Sequence, residues 1–313
     1  MRLLITGADG FVGRWLVREA LSQGWHVNAV LGPGGETPDA WLSAEEAART
    51  DSIHADLTSA ADLGKVAAMP ADAVIHLAAI ASGAAARRDV QGAMKINAEA
   101  TVWLLNAIGE AKQRPRFLFV STGEVYGAGH HGPIGEDTSV DPVSPYAATK
   151  AAAEPAVLDL GPANGMDMLI ARSFPHTGPG QSTSYVLPAI ASRLVEAKRS
   201  GATTVMTGNL DAVRDFLDVR DVVRAYLLLL ELGVPGQAYN VASGVGRPLS
   251  DCFDALAAMI GVDVRREIDP NLLRPSDIAV LIGNPSKLQQ ATGWIPLIPF
   301  DRTLQDLVDA QAH

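Results

Sequence analysis

Short apolar runs bounded by turn residues alternate with longer amphipathic stretches through the first half of the chain. Leu3, Leu4 and Ile5 form a first run, residues 26–31 a second, 73–78 a third and 117–121 a fourth, each of a length that suits a buried strand. Between them, residues 11–22 and 93–111 carry apolar positions at helical spacing, and another helix begins at Tyr146. This alternation predicts an α/β protein built on a doubly wound parallel sheet with helices on both faces. Pro155 is expected to kink or end the helix that begins at Tyr146, because proline lacks an N–H and crowds the preceding turn.

After Arg172 the texture changes. Stretches rich in Gly, Pro, Thr and Ser (174–184, 201–209, 242–248) interrupt short helical patterns, and Pro270, Pro275, Pro285, Pro296 and Pro299 punctuate the end. A smaller, less regular C-terminal lobe is expected there. Composition narrows the class further. With 313 residues, 48% hydrophobic and 19% charged, the chain can bury a full core and is not disordered. A net charge of -10 argues against a nucleic-acid or anionic-membrane surface, so any anionic ligand has to be met by local cations or helix N-termini. One cysteine, Cys252, forms no internal disulfide and fits a reducing compartment. The first strand is expected at the very start of the sequence, a pattern unlike that of a signal peptide. The chain's strongest apolar stretch, 225–230, stops at Glu231. A soluble, cytoplasmic protein is expected.

The candidate chemistry begins at Thr6-Gly7-Ala8-Asp9-Gly10-Phe11-Val12-Gly13, which follows a strand and opens a helix. Three spaced glycines often mark only a turn. In this context they let the backbone turn tightly and approach a pyrophosphate lodged at the helix N-terminus, the arrangement of a Rossmann-type dinucleotide site. Gly7, Gly10, Phe11, Val12 and Gly13 are therefore candidate cofactor contacts. Asp56 and Leu57 are expected near the adenine, and Leu77, Ala78 and Ala79 along the groove, with His76 packing rather than reacting. The acid expected about twenty positions after the glycines is absent, since the second strand ends Val30-Leu31-Gly32-Pro33. Arg14 either approaches a 2′-phosphate or is a solvated helix arginine, which tilts the choice between NAD(H) and NADP(H) slightly towards NADP(H). Residues 1–171 read as the dinucleotide-binding domain, a segment near 214–240 returning to it, and residues 172–313 as the substrate-binding lobe.

Tyr146 and Lys150 stand four apart in Ser-Pro-Tyr-Ala-Ala-Thr-Lys, a spacing that puts both on one helix face. By itself Tyr-x-x-x-Lys is usually a surface pair. Beside a nicotinamide, a lysine ammonium favours the phenolate and pulls the tyrosine pKa down from about 10, so that Tyr146 can trade a proton with a sugar oxygen. Lys150 would also hold the nicotinamide ribose. Thr122, at the end of the strand 117–121, can hydrogen-bond the same oxygen.

These motifs resemble the extended short-chain dehydrogenase/reductase superfamily, in its NAD-dependent epimerase/dehydratase branch, over essentially the whole length. The resemblance is carried by the glycine loop, His76-Leu77-Ala78-Ala79, Asn97, Thr122, Tyr146/Lys150, residues 172–181 and 208–221, and Tyr239-Asn240-Val241-Ala242-Ser243-Gly244. Leu273-Arg274-Pro275-Ser276-Asp277 and the stretch from Pro285-Ser286-Lys287 to Gly293-Trp294 resemble GDP-mannose 4,6-dehydratases and, more closely, GDP-4-keto-6-deoxy-D-mannose reductases. The resemblance implies a nucleotide-sugar substrate, a GDP-hexose whose 4-keto group is reduced to give GDP-D-rhamnose. It also implies cofactor contact by Asn97 and substrate contact by His176. Arg214 and Arg274 are candidates to clamp the diphosphate, since guanidinium suits bidentate phosphate recognition. Ion pairing with Asp211, Asp215 and Asp277 is the competing account.

Glu124 matches the base position of the dehydratases, yet reductases of the branch also carry Glu there. Gly123 lacks a second acid, and the short start favours a reductase. Two departures stand out: Pro175 where the family carries Asn, and Asn284 where an acid is common. A 4,6-dehydratase or 4-epimerase is the second reading, and a non-catalytic dinucleotide-sensing protein a distant third. A homodimer is expected, through small-residue helices such as 147–153, although the same alanines serve internal packing equally well.

Overall fold

In the computed structural model, which describes residues 1–273 and 278–311, seven strands form one parallel sheet. In chain order they are β1 (Arg2–Thr6), β2 (His26–Leu31), β3 (Thr50–His54), β4 (Ala73–His76), β5 (Arg116–Thr122), β6 (Asp167–Ser173) and β7 (Gln237–Val241). Their order across the sheet is β7-β6-β5-β4-β1-β2-β3. The direction of winding reverses between β1 and β4, which opens a crevice at the carboxyl ends of those two strands. The sheet is buried on both faces, which explains the continuous apolar runs.

One face is covered by α1 (Phe11–Ser22) and α6 (Val219–Leu232), whose Leu16, Val17, Val223 and Leu227 pack against Leu3, Ile5 and Val27. The other carries α2 (Ala60–Ala68), α3 (Ala100–Glu110) and α4 (Pro145–Ala163), with Leu104, Leu105, Ala153 and Val157 packed on Phe117, Phe119 and Ile170. A separate apolar cluster joins α5 (Val186–Ser200), α7 (Leu249–Ile260) and α8 (Phe300–Gln311) through Leu194, Phe253, Leu256 and Leu304. Short strands link this cluster to the sheet: Val213–Asp215 pairs with Gly246–Pro248 and Val280–Leu281.

Two local expectations are corrected. Helix α4 does not end at Pro155 but continues to Ala163, with Pro162 also inside it. Its buried face, including Ala153 and Val157, is fixed against the strands, and that packing outweighs one missing N–H. Ala147 and Ala153 both point inward. The stretch 93–111 is not one regular helix either. Residues Val90–Met94 are α-helical, Lys95–Glu99 form a π turn, and α3 follows. The bulge delivers Asn97 to the interior, where its side chain bonds the Ile80 amide (2.7 Å), the Ile80 carbonyl (3.2 Å) and Thr149 Oγ1 (2.9 Å). Among the described residues no helix is long and apolar enough to cross a membrane.

Candidate active site

A cavity of about 640 Å³ runs from the glycine loop, across the carboxyl ends of the sheet, to the C-terminal helices. Its first stretch is backbone. Gly7 turns the chain out of β1 with φ +71°, where a Cβ would press 3.0 Å from the Ala78 backbone. A Cβ on Gly13 would meet Gly7 O at 2.2 Å and Ala8 Cα at 2.7 Å, so only hydrogen fits where α1 passes the loop. No side chain caps α1 at Gly10, and Phe11, Val12 and Gly13, which own the unclaimed first-turn N–H groups, line the cavity. A pyrophosphate fits this cradle. Leu57, Leu77, Ala78 and Ala79 line the same groove. Asp56 does not; its carboxylate accepts the Thr58 amide and hydroxyl, both at 2.8 Å. Asn97 is wholly buried behind the wall and acts by fixing Ile80 and Thr149.

His76 is a packing residue, fully enclosed between Phe117 and Phe119. Its neighbours assign its tautomer. The neutral ring carries its proton on Nε2, where Thr101 requires it, so Nδ1 accepts the Thr6 hydroxyl at 2.7 Å while Thr6 Oγ1 accepts the Ala78 amide. Thr101 gives its hydroxyl to Asn97 O, so Nε2–H donates to Thr101 Oγ1 at 3.0 Å. Burial pushes the imidazole pKa down to about 3.

Thr122, Tyr146, Lys150 and Glu124 meet in the middle of the cavity. Ser144 caps α4 by accepting the Ala147 amide, with Pro145 in the first turn, and this start aims Tyr146 at the strand end where Thr122 sits. Lys150, one turn on, is 2% exposed and donates to Val120 O at 2.8 Å. Burial lowers its pKa to about 7, with Glu154 pulling the other way. The depression expected for Tyr146 belongs to a site that holds a nicotinamide cation, and the protein groups by themselves act the other way. Burial raises the phenol pKa far above its ordinary value, the Glu124 charge adds to this, and the Thr122 hydrogen bond only partly offsets it. In this state Tyr146 is a neutral phenol, a proton donor. Glu124 lies at the wall, its carboxylate receiving the Ser144 hydroxyl at 3.4 Å.

A buried polar network stands behind these groups. Glu154, one turn past Lys150, accepts from Ser121 at 2.6 Å and takes Nε and Nη2 of Arg172 at 2.7–3.2 Å. Burial opposes the Arg172 charge, but the hydrogen bonds and charge of Glu154 outweigh it and hold its pKa above the arginine norm. Arg172 also donates to Tyr126, whose hydroxyl donates to Asn240 Oδ1 at 2.7 Å.

The lining beyond the catalytic group includes His176, Arg214, Pro175, Gln181, Tyr185 and Phe216. His176 stacks on Phe11 (centroids 6.5 Å, planes 8° apart) and donates Nδ1–H to Phe174 O. Burial lowers its pKa. Arg214 donates to Val213 O at 2.9 Å. Arg274 lies outside the described residues. Sequence reasoning missed Tyr185 and Tyr226, both cavity residues, and Ser173, whose hydroxyl pairs with that of Tyr226 at 2.6 Å. Tyr226 lies inside the apolar run of α6, where nothing in the pattern distinguishes a cavity tyrosine from core.

The chain matches the family described as GDP-mannose 4,6 dehydratase over residues 4–307. GDP-6-deoxy-D-mannose reductase of Pseudomonas aeruginosa is 34% identical over 310 residues, 98% of this chain and 96% of that protein. Among solved structures, RMD from Pseudomonas aeruginosa complexed with NADPH superposes with a TM-score of 0.86 at 32% identity, covering 99% of this chain and 98% of that one. UDP-glucose 4-epimerase of Thermus thermophilus in complex with NAD gives a TM-score of 0.87 at 27% identity over 100% of this chain and 99% of its own. Likeness of this length and closeness reflects common descent, and the chain belongs to the GDP-mannose 4,6-dehydratase family, in the NAD-dependent epimerase/dehydratase branch of the extended short-chain dehydrogenases/reductases.

Proposed function

We propose that this protein is an NAD(P)-dependent 4-ketoreductase of GDP-4-keto-6-deoxy-D-mannose, forming GDP-D-rhamnose. The observation that carries the reading is the meeting of Tyr146, Thr122 and Lys150 in the cavity that the glycine loop opens. A dihydronicotinamide held in this cavity would supply the hydride for C4. Tyr146 supplies the proton to the C4 oxygen, and Thr122 donates a hydrogen bond that holds that oxygen in place. Lys150, against Val120 O, stabilises the phenolate left behind and is suited to the nicotinamide ribose. Arg214 faces the nucleotide-sugar end and offsets the repulsion that a chain of net charge -10 exerts on a diphosphate, while His176, whose charge burial disfavours, offers a hydrogen-bonding ring. In this scheme residues 1–171, with the return through 214–240, hold the dinucleotide, and the remainder of 172–313 holds the sugar nucleotide.

Glu124 supports a second reading. A carboxylate on the cavity wall two residues from Thr122 suits a 4,6-dehydratase, where a base removes the C5 proton and the C6 hydroxyl leaves. One assay separates the two. Incubation with GDP-4-keto-6-deoxy-D-mannose should consume NADH or NADPH stoichiometrically and give a 6-deoxyhexose by NMR. Turnover of GDP-mannose to the 4-keto sugar without net cofactor consumption would replace the reductase with the dehydratase.

A further inference from the structure

The acid missing from the end of β2 is present in space. Asp9, third residue of the glycine loop, sends its carboxylate across to that strand end, where Oδ1 accepts the Gly32 amide at 3.2 Å. A Cβ on Gly32 would stand 3.6 Å from Asp9 Oδ2, and one on Gly35 would stand 2.0 Å from it. The carboxylate thus occupies the space that a side chain at 35 would fill and comes within contact distance of a Cβ at 32. The turn holding it is braced: the Gly35 amide donates to Gly32 O at 3.0 Å, and His54 Nε2 donates to Gly35 O at 2.8 Å. Asp9 lines the cavity beside Val30, Leu31 and Gly32.

We infer that Asp9 is the residue that receives the adenosine ribose and that it makes this enzyme prefer NAD(H) to NADP(H). The inference rests on the dinucleotide reading above. An ionised carboxylate accepts hydrogen bonds from the two neighbouring hydroxyls of an unmodified ribose, whereas a 2′-phosphate brings like charge to the same point. Arg14, the obvious partner for such a phosphate, is turned elsewhere. Its Nη2 pairs with Glu36 at 2.7 Å, its Nε bonds the Asp9 main-chain oxygen, and its guanidinium lies 5.4 Å over Trp41. The relatives leave the choice open, one solved with NADPH and another with NAD.

The test is equilibrium binding of NADH and NADPH to the purified chain, followed by nicotinamide fluorescence. NADH should bind at least about tenfold more tightly, the scale of one lost charge-assisted hydrogen bond. Asp9→Asn keeps an acceptor for the Gly32 amide and removes the charge, so it should shrink that ratio by roughly tenfold. Adding Gly32→Asp, whose Cβ has ordinary contact distance, should restore it. Equal or tighter NADPH binding by the unaltered protein, or an unchanged ratio in Asp9→Asn, overturns the inference and leaves the reductase reading standing. Failure of both dinucleotides to bind overturns the two together.

Discussion

The two ends of the cavity are built from different materials. At the dinucleotide end the wall is backbone: Gly7 and Gly13 sit where no Cβ fits, and uncapped N–H groups of α1 face the space. At the catalytic end the wall is side chain, with Tyr146 and Lys150 projecting from α4 and a buried network of Ser121, Glu154, Arg172, Tyr126 and Asn240 behind them. The first end selects by shape and is damaged by added atoms. The second selects by charge and protonation and is damaged by lost atoms. Mutation should therefore act in opposite senses on the two.

The largest effect is expected where chemistry alone is removed. Tyr146→Phe deletes one hydroxyl from the catalytic end, and kcat should fall by about 10²–10⁴, the usual share of a general acid. The thermal midpoint should stay near that of the parent. A variant with intact turnover would take Tyr146 out of the mechanism. Next comes Glu154→Ala, which strips Arg172 of its partner while it stays buried. Side-chain exposures of 10% and 6% place the pair well inside, so unfolding free energy should drop by about 3–5 kcal/mol in a urea titration. A loss below about 1 kcal/mol would mean that water reaches Arg172 and the network is not what stiffens this end.

That contrast also governs how much was legible in the chain. The sheet, the glycine loop and the Tyr146/Lys150 pair were readable because each is local: a strand, a turn and one helix face carry their own spacing. The polar network was not, because Ser121, Glu154, Arg172 and Asn240 come from four separate elements and meet only when β5, β6, β7 and α4 pack. The same limit explains the missing acid. Counting twenty residues from the glycines finds Gly32, while the carboxylate at that point belongs to Asp9. Asn97 shows the converse, a residue singled out by motif that a π turn draws behind the wall. The protein's own upward push on the Tyr146 pKa was hidden for a related reason. Burial and the Glu124 charge depend on the assembled cavity, and neither is visible in a four-residue spacing.

At the dinucleotide end the matching experiment adds an atom. Gly13→Ala places a methyl group 2.2 Å from Gly7 O and 2.7 Å from Ala8 Cα, both backbone atoms with little freedom to move. A loss of about 1–3 kcal/mol in stability is expected, together with weakened dinucleotide binding, since the loop has to shift to make room. The control is Gly24→Ala, whose Cβ meets nothing within 4 Å but whose φ of +82° brings strain without a clash. Equal dinucleotide affinity in the two variants would show that backbone closeness in the loop is not what forms the cradle.

The smallest effect joins the ends, because His76 ties the base of the glycine loop, through Thr6, to Thr101 and the Asn97 turn. Both ring nitrogens are committed in the neutral form. Protonation at Nδ1 would meet a hydroxyl that is already donating, and burial holds the folded-state pKa near 3 against an ordinary 6.5. Below pH 6.5 the unfolded chain takes up a proton that the folded chain refuses. Stability is therefore full above that pH and is lost as pH falls towards 3, by about 1.4 kcal/mol for each unit well inside the window. His176, also lowered by burial, adds in the same direction, so the diagnostic quantity is a difference in slope. Urea midpoints measured between pH 7.5 and pH 5 should fall less steeply for His76→Gln than for the parent. Parallel slopes would show that the imidazole finds a way to charge in the folded state, and that the tie between the two ends is looser than its hydrogen bonds imply.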